Sequence, residues 1–550
     1  MPSSQVRVPW SVRLPASAHL TASARAREHP PHPSQPHPWH DSRVTQASGD
    51  YKTVGIIGGG TAGYLTALAL RKKLPHLRVT LIESPTIPII GVGEGTTPIM
   101  VKFLHAYLER DVHELYRKVR PTWKFGVKFE WGQPGDYYFN YAFHPGPILD
   151  SVYYGGEFND YSLGSLLISN ERAPIVTNEG GQLTSLIDRI PFAYHLDNGR
   201  FVAYLKEQAV GDGVELLERS VTEFVPTENG EELDHVVTDD GEERRFDLYV
   251  DCTGFRAEII GETLGSPFHS YEGSLFCDRA IVANVPHGGH IKPFTTAETM
   301  NAGWCWNTPS VEDDHRGYVF SSQFLSDDEA AEEMRSKNEG MGDHRVIRFK
   351  TGRREHFWKG NVVAIGNSYG FVEPLESTGL HMIILEINQL VLNFPRSKKD
   401  TAIRGIVNRT LNAHWDDVRW FLAVHYRFNK KLDTPFWQAC RNAVDIGGAQ
   451  ERVDLFRERT PLTYRQSQFF KPEEVFGDFA YDVLLLGQRV QGRYLEASQP
   501  RVEWQKRVDG LRELAGNALT QERAFETLNG APPQILGSMV TSPNTWVVWP

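Results

Sequence analysis

Hydrophobic positions first fall into order at Tyr51. Thr53-Val-Gly-Ile-Ile57 is a short apolar run of the kind a buried strand requires, and Gly58 to Gly63 is a glycine-rich turn. Leu65, Leu68, Leu70 and Leu74 follow at spacings suited to a helix, and Leu77 to Ile82 forms a second apolar run closed by Glu83. The pattern predicts a βαβ opening. In the middle of the chain, strand-like stretches such as Trp123 to Trp131 and Asp247 to Asp251 alternate with polar loops. Alternation along Trp123 to Trp131 puts Trp123, Phe125, Val127, Phe129 and Trp131 on one face, with Lys124, Gly126, Lys128 and Glu130 on a face that reads as solvated. Leu380, Ile383, Ile384, Ile387 and Leu390 then recur at helical spacing, and from about Asp400 the pattern is helical and rich in aromatics such as Trp415, Trp420, Phe421 and Tyr426. No internal repeat is visible. The expected fold is α/β: a three-layer, Rossmann-like dinucleotide-binding domain with an added mixed β-sheet and a helical C-terminal region. Its expected division is a leader over 1–50, a binding and reaction region over 51–395, and a mainly helical substrate-capping region over 396–550.

Composition narrows the class. A chain of 550 residues with 40% hydrophobic and 23% charged residues is globular and large enough for several layers. Its longest oily stretch, Leu380 to Phe394, is broken by Glu386, Asn388 and Gln389, so no membrane span is expected. A formal net charge of −11 argues against a nucleic-acid surface. Cys252, Cys277, Cys305 and Cys440 lie far apart with no CxxC pair, which excludes a zinc ribbon, predicts no metal site and suits a reducing cytoplasm. The first fifty residues are rich in Pro, Ser, His and Arg, lack lysine, and read as a disordered leader in preference to a targeting segment.

Gly58-Gly-Gly-Thr-Ala-Gly63 fits G-x-G-x-x-G. The first glycine makes the turn, the next lets a pyrophosphate approach the backbone, and the last packs helix on strand. Pyrophosphate would sit on the amides at the helix start, and Glu83 would accept hydrogen bonds from a ribose hydroxyl. No second fingerprint occurs. Val250-Asp-Cys-Thr-Gly254 and Val362-Val-Ala-Ile-Gly-Asn-Ser368 are strand-then-small-residue turns of the sort that flavoprotein oxygenases use to hold the rest of FAD. The missing second fingerprint suggests that reduced flavin arrives from a separate reductase.

Four further segments carry a family resemblance. Gly303-Trp-Cys-Trp-Asn-Thr-Pro309 contains W-x-W-x-x-P, and Ile90-Gly-Val-Gly-Glu-Gly-Thr-Thr-Pro98 looks like a flavin-edge loop. Thr122 to Phe129 and Phe371-Val-Glu-Pro-Leu-Glu-Ser-Thr-Gly379 complete the set, with Tyr318 to Ser322, His425-Tyr426 and Asp433 to Trp437 in matching order. From Tyr51 to at least Trp437 the chain resembles the flavin-dependent, tryptophan-halogenase-like halogenases.

The resemblance implies an enzyme in which FADH2 and oxygen convert chloride or bromide to hypohalous acid, which reaches an electron-rich aromatic substrate, of indole type, held away from the flavin. It selects Lys124 as the lysine that guides the halogen, although pattern alone does not separate it from Lys128. It selects Glu376 over Glu373 as the acid that takes the ring proton. It places the halide on the backbone of Thr378 and Gly379, where a helix start offers free amides. Trp304 and Trp306 are implied to wall the flavin from the substrate. Flavin contacts fall on Gly58, Gly59, Gly60, Ala62, Gly63, Glu83, Ile87, Ile90, Val92, Val221, Asn367 and Leu380. The implied partners are a flavin reductase and a small aromatic molecule, in the cytoplasm, with room for a homodimer. Two rivals stand beside this reading: an FAD-dependent aromatic hydroxylase, and a flavin-binding protein without turnover.

Departures bear on the substrate. The paired tyrosines that grip free tryptophan in that subgroup have no counterpart in Phe476 to Gly487, and Asn140 falls near the position of a subgroup histidine. Thr308 stands where isoleucine is usual. Free tryptophan is therefore the less expected substrate.

Overall fold

In the computed structural model, which describes residues 50–87, 93–177, 183–187, 190–465 and 475–529, the opening βαβ unit forms as the pattern predicts. The strands Thr53–Ile57 and Arg78–Glu83 flank the helix Thr61–Lys73. Expectations for the leader, and for Ile90 and Val92, lie outside the described residues.

These two strands are internal members of a six-stranded sheet. Its order is Glu215–Glu218, Arg78–Glu83, Thr53–Ile57, Leu248–Asp251, Val362–Ala364 and Trp358–Lys359. All neighbours are parallel except the last pair. Strands covered on both faces need continuous apolar runs, which is why Val54, Ile56, Val79, Leu81 and Val250 are all buried. The two sequence segments after the opening unit, Val250 to Gly254 and Val362 to Ser368, thus deliver their turns at the carboxyl ends of adjacent strands, where open parallel sheets bind ligands.

A seven-stranded mixed sheet lies beyond it. Its order is Arg345–Arg348, Arg279–Val285, Asp314–Phe320, Gly303–Pro309, Thr295–Met300, Gly126–Glu130 and Phe139–Ala142. A small antiparallel sheet of Glu94–Gly95, Ala193–Leu196 and Thr122–Lys124 completes the frame around the site. Helices Gly379–Leu392 and Ala402–Phe428 lead into the helical C-terminal part.

One expectation needs correction. Trp123 to Trp131 is not a single strand with a solvated lysine face. It breaks at Phe125, whose amide bonds Pro293 O and whose carbonyl accepts from Phe143 N, both at 2.8–2.9 Å. Thr122–Lys124 joins the small sheet and Gly126–Glu130 the large one. Lys124 is consequently buried, whereas Lys128 is half-buried with its ammonium 4.2 Å from the Tyr138 ring centroid. Alternation fails because a strand that changes sheets also changes what covers each face.

Candidate active site

The glycine turn shows why each small residue is needed. Gly58 has φ +123°, and a Cβ there would lie 2.2 Å from Cys252 O. A Cβ at Gly59 would lie 2.1 Å from Glu83 Oε2, and one at Gly63 2.0 Å from Gly58 O. Gly60 meets nothing within 4 Å, so its backbone is open to a ligand. The helix begins at Thr61 with no side-chain cap, leaving its first amides available. Glu83 is held from two sides: the Tyr64 hydroxyl donates to Oε2 at 2.6 Å and the Lys206 ammonium pairs with Oε1. Gly58→Ala is expected to weaken flavin binding roughly ten- to a hundredfold, the equivalent of ~1–3 kcal/mol of backbone strain. A fluorescence titration with FAD reads this, with Gly510→Ala, a helical site with open space around it, as the control.

A cavity of about 910 Å³ takes in this turn and continues to Trp306, Ser377 and Gly379. Its walls include Gly58, Gly59, Gly60, Ala62, Glu83, Ile87, Val221, Asn367, Gly379, Leu380 and Trp306, eleven of the residues expected around a flavin. The volume falls within the ~300–1,000 Å³ of ligand sites. Gly63 packs behind the turn, and Thr378 and Trp304 do not form the wall. Sequence reading passed over Asn198, Lys206 and Thr295, which also line the cavity. Asn198 follows the Asp197 cap of a second helix, and its Oδ1 accepts from Thr61 Oγ1 at 3.1 Å, so two helix starts meet there. That proximity spans 137 positions and has no local signature.

Lys124 reaches this wall from behind. Its Nζ donates to Ser377 Oγ at 2.5 Å. Burial lowers its pKa to about 7, with the Glu376 carboxylate pulling the other way. Gly95 leaves room for the meeting: a Cβ there would sit 2.8 Å from Ser377 Oγ and 3.1 Å from both Lys124 Nζ and Thr295 Oγ1. Behind them His195 is fixed by Thr295 Oγ1 at Nε2 and Thr122 Oγ1 at Nδ1, each 3.0 Å away. Thr122 donates its hydroxyl proton to Pro309 O at 2.8 Å, so Nδ1 must donate to Thr122 and Nε2 must accept from Thr295. Burial and the Lys124 charge hold His195 well below the usual range, so it stays neutral.

Ser377 has a left-handed φ of +57°, which turns the chain into the helix Gly379–Leu392. Thr378 is the helix N-cap residue but makes no side-chain cap bond. The helix start therefore offers amides to an anion at the cavity wall formed by Ser377 and Gly379.

The two acids of Glu373-Pro-Leu-Glu376 diverge. Glu376 Oε1 lies 2.8 Å from His425 Nε2, and its carboxyl is raised by burial and lowered by His425 and Lys124. Glu373 Oε2 accepts from Trp304 Nε1 at 2.8 Å and from the Tyr426 hydroxyl, and burial pushes its pKa up to about 7. Trp304 and Trp306 share a strand face, their rings 6.0 Å apart. Only Trp306 reaches the cavity, and Gly317 on the neighbouring strand makes room for it, since a Cβ there would lie 2.0 Å from its ring. Phe143, whose ring centroid is 5.6 Å from Lys124 Nζ, and Tyr141, whose phenol is raised by burial and by Glu376, stand beside the lysine and acid. Asn140 is instead a structural tie, its amide donating to Ser165 O and Ser169 Oγ.

A dinucleotide cavity backed by a buried lysine and a buried carboxyl is the architecture of a flavoenzyme that acts on something held beyond the flavin. Comparison gives the family. The family model described as tryptophan halogenase matches residues 53–502, and the chain belongs to that family of flavin-dependent halogenases. The chain is similar to the tryptophan 6-halogenase ThaL of Streptomyces albogriseolus, at 32% identity over 75% of this chain and 83% of ThaL. It is similar to the tryptophan 7-halogenase RebH of Lentzea aerocolonigenes at 30% identity, over 74% of this chain and 82% of RebH. Among solved structures, MibH, a lanthipeptide tryptophan 5-halogenase, aligns with a TM-score of 0.86 and 44% identity over 91% of this chain and 97% of MibH. Halogenation is the chemistry of this enzyme, and neither hydroxylation nor flavin binding without turnover is favoured.

Proposed function

We propose that this chain uses FADH2 from a separate flavin reductase to place chloride or bromide on the indole of a tryptophan carried in a peptide. The observation that carries the reading is the junction at Ser377: the cavity reaches one side of it, and the buried Lys124 amine bonds it at 2.5 Å from the other.

Reduced FAD, when bound, supplies with oxygen the two-electron oxidation that turns halide into hypohalous acid. The fingerprint amides at Gly58 to Gly60 would hold the pyrophosphate and Glu83 the ribose. The backbone of Thr378 and Gly379 holds the halide, and Trp306 closes the wall between flavin and substrate. Lys124 hydrogen-bonds the hypohalous acid, or carries the halogen on its neutral amine. Glu376 takes the proton from the halogenated ring.

Two observations favour a peptide. Identity is higher to MibH than to ThaL or RebH. The segment that would grip a free amino acid forms the helix Asp478–Gly487, where Tyr481 is buried against Phe421 and the Arg452 guanidinium, with no tyrosine pair presented. With reductase, NADH, FAD and either halide, tryptophan-containing peptides are expected to gain a halogen in place of hydrogen by mass spectrometry. Free tryptophan should react at least ~10-fold less efficiently in kcat/KM. A preference for free tryptophan would overturn the peptide reading, and a product that gains only oxygen would overturn the whole.

A further inference from the structure

His425 was singled out only as half of a dipeptide, and its place in the fold gives it a task. Nδ1 lies 3.0 Å from Phe421 O one turn back in the same helix. A carbonyl oxygen only accepts, so Nδ1 carries a proton in every state that keeps this bond. Nε2 lies 2.8 Å from Glu376 Oε1. That contact needs one shared proton: either an imidazolium facing a carboxylate, or a neutral imidazole facing a carboxylic acid. The second form has no basic oxygen to offer a substrate, because its acid proton is committed to His425.

We propose that His425 is the positioning residue that holds the shared proton on Nε2, so that Glu376 meets the substrate as a carboxylate. The inference rests on the proposed role of Glu376 in halogenation. When halogen has added to the ring, the C–H bond breaks, its electron pair returns to the ring, and the proton goes to Glu376. The pair then holds one proton more than at rest and releases it to water as product leaves.

The surroundings suit this assignment. His425 and Glu376 are both buried. The imidazole is enclosed by Phe129, Trp131 and Phe421, none of which competes for Nε2. The titratable groups facing Glu376 are Lys124 from the small sheet, Tyr141 from the large sheet and His425 from the long helix. Among the described residues the further cation acting on Glu376 is Lys124, which is engaged with Ser377. Removing the imidazole would therefore take away the group that most opposes burial and shift the Glu376 carboxyl further up.

The experiment compares wild type, His425→Phe and His425→Gln in the holoenzyme with reductase. It follows kcat for halogenation across pH, alongside trapping of hypohalous acid by a small diketone. At pH 7 His425→Phe is expected to lose about 100-fold in kcat, the scale of a disabled general base. Its acid limb should move to higher pH, while the hypohalous acid trapped in the absence of indole is unchanged. The Gln amide still donates to Glu376, so that variant should place the limb between the other two. It also decides the matter if the Phe variant does not fold. Acid limbs that coincide in the folded variants and wild type would overturn the assignment. Glu376→Gln that halogenates at the wild-type rate would instead overturn the role of Glu376 itself.

Discussion

Lys124→Ala is expected to retain FAD and the fold but to fall below about a thousandth of the wild-type halogenation rate, the upper range for loss of a single electrostatic contact at a reacting centre. Lys124 lies outside the cavity wall, so flavin affinity should change little, whereas its amine meets that wall through the bond to Ser377. Wild-type flavin affinity with halogenation lost supports the proposal; an active alanine variant removes the lysine mechanism. Lys124→Arg sharpens the test, because a guanidinium can donate hydrogen bonds but does not give up its proton to carry a halogen. A second measurement needs no substrate. The folded amine titrates near 7 and its ordinary value is 10.5. Between those values the unfolded chain binds the extra proton, so this lysine makes stability rise with pH across that window. Below 7 both states are protonated and its contribution no longer changes. The stability of wild type relative to Lys124→Ala should therefore climb from about pH 7 toward 10 and stay level below 7, as read by denaturant unfolding.

Glu376→Gln is expected to cost ~10²–10⁴ in kcat with the oxidising half-reaction intact. The amide is nearly isosteric and its N–H can donate to His425 Nε2, so the buried pair stays satisfied and the fold should hold. NADH consumption would continue while hypohalous acid escapes to a trap instead of reaching the ring. Glu373→Gln is the control: its Oε2 serves as an acceptor for Trp304 and Tyr426, which an amide oxygen can replace. Comparable losses in both variants would mean that the carboxyls act as a structural unit and would remove the assigned base.

These outcomes depend on a site only partly legible in the sequence. The nucleotide half could be read locally, because fingerprint, helix and Glu83 lie within one βαβ unit and each glycine has a steric reason visible in its own neighbourhood. The reaction half could not. Lys124 looked solvated because alternation assumes one sheet, and the break at Phe125 assigns its two lysines to different sheets. Glu373 and Glu376 differ only in partners that lie 49 to 69 positions away. The clearance for Trp306 comes from Gly317 across a strand pair, and that for Lys124 from Gly95 across another sheet. Pairings of this kind are tertiary and carry no periodicity.

The same break at Phe125 has a use in protein engineering. Thr122–Lys124 belongs to the small sheet with Gly95 and His195, whereas the strands Gly126–Glu130 and Phe139–Ala142 belong to the large sheet, the second carrying Tyr141 and leading to Phe143 beside Lys124. On the roles proposed above, a library confined to the far side of that joint is expected to alter which aromatic ring is accepted without re-aiming the Lys124 amine.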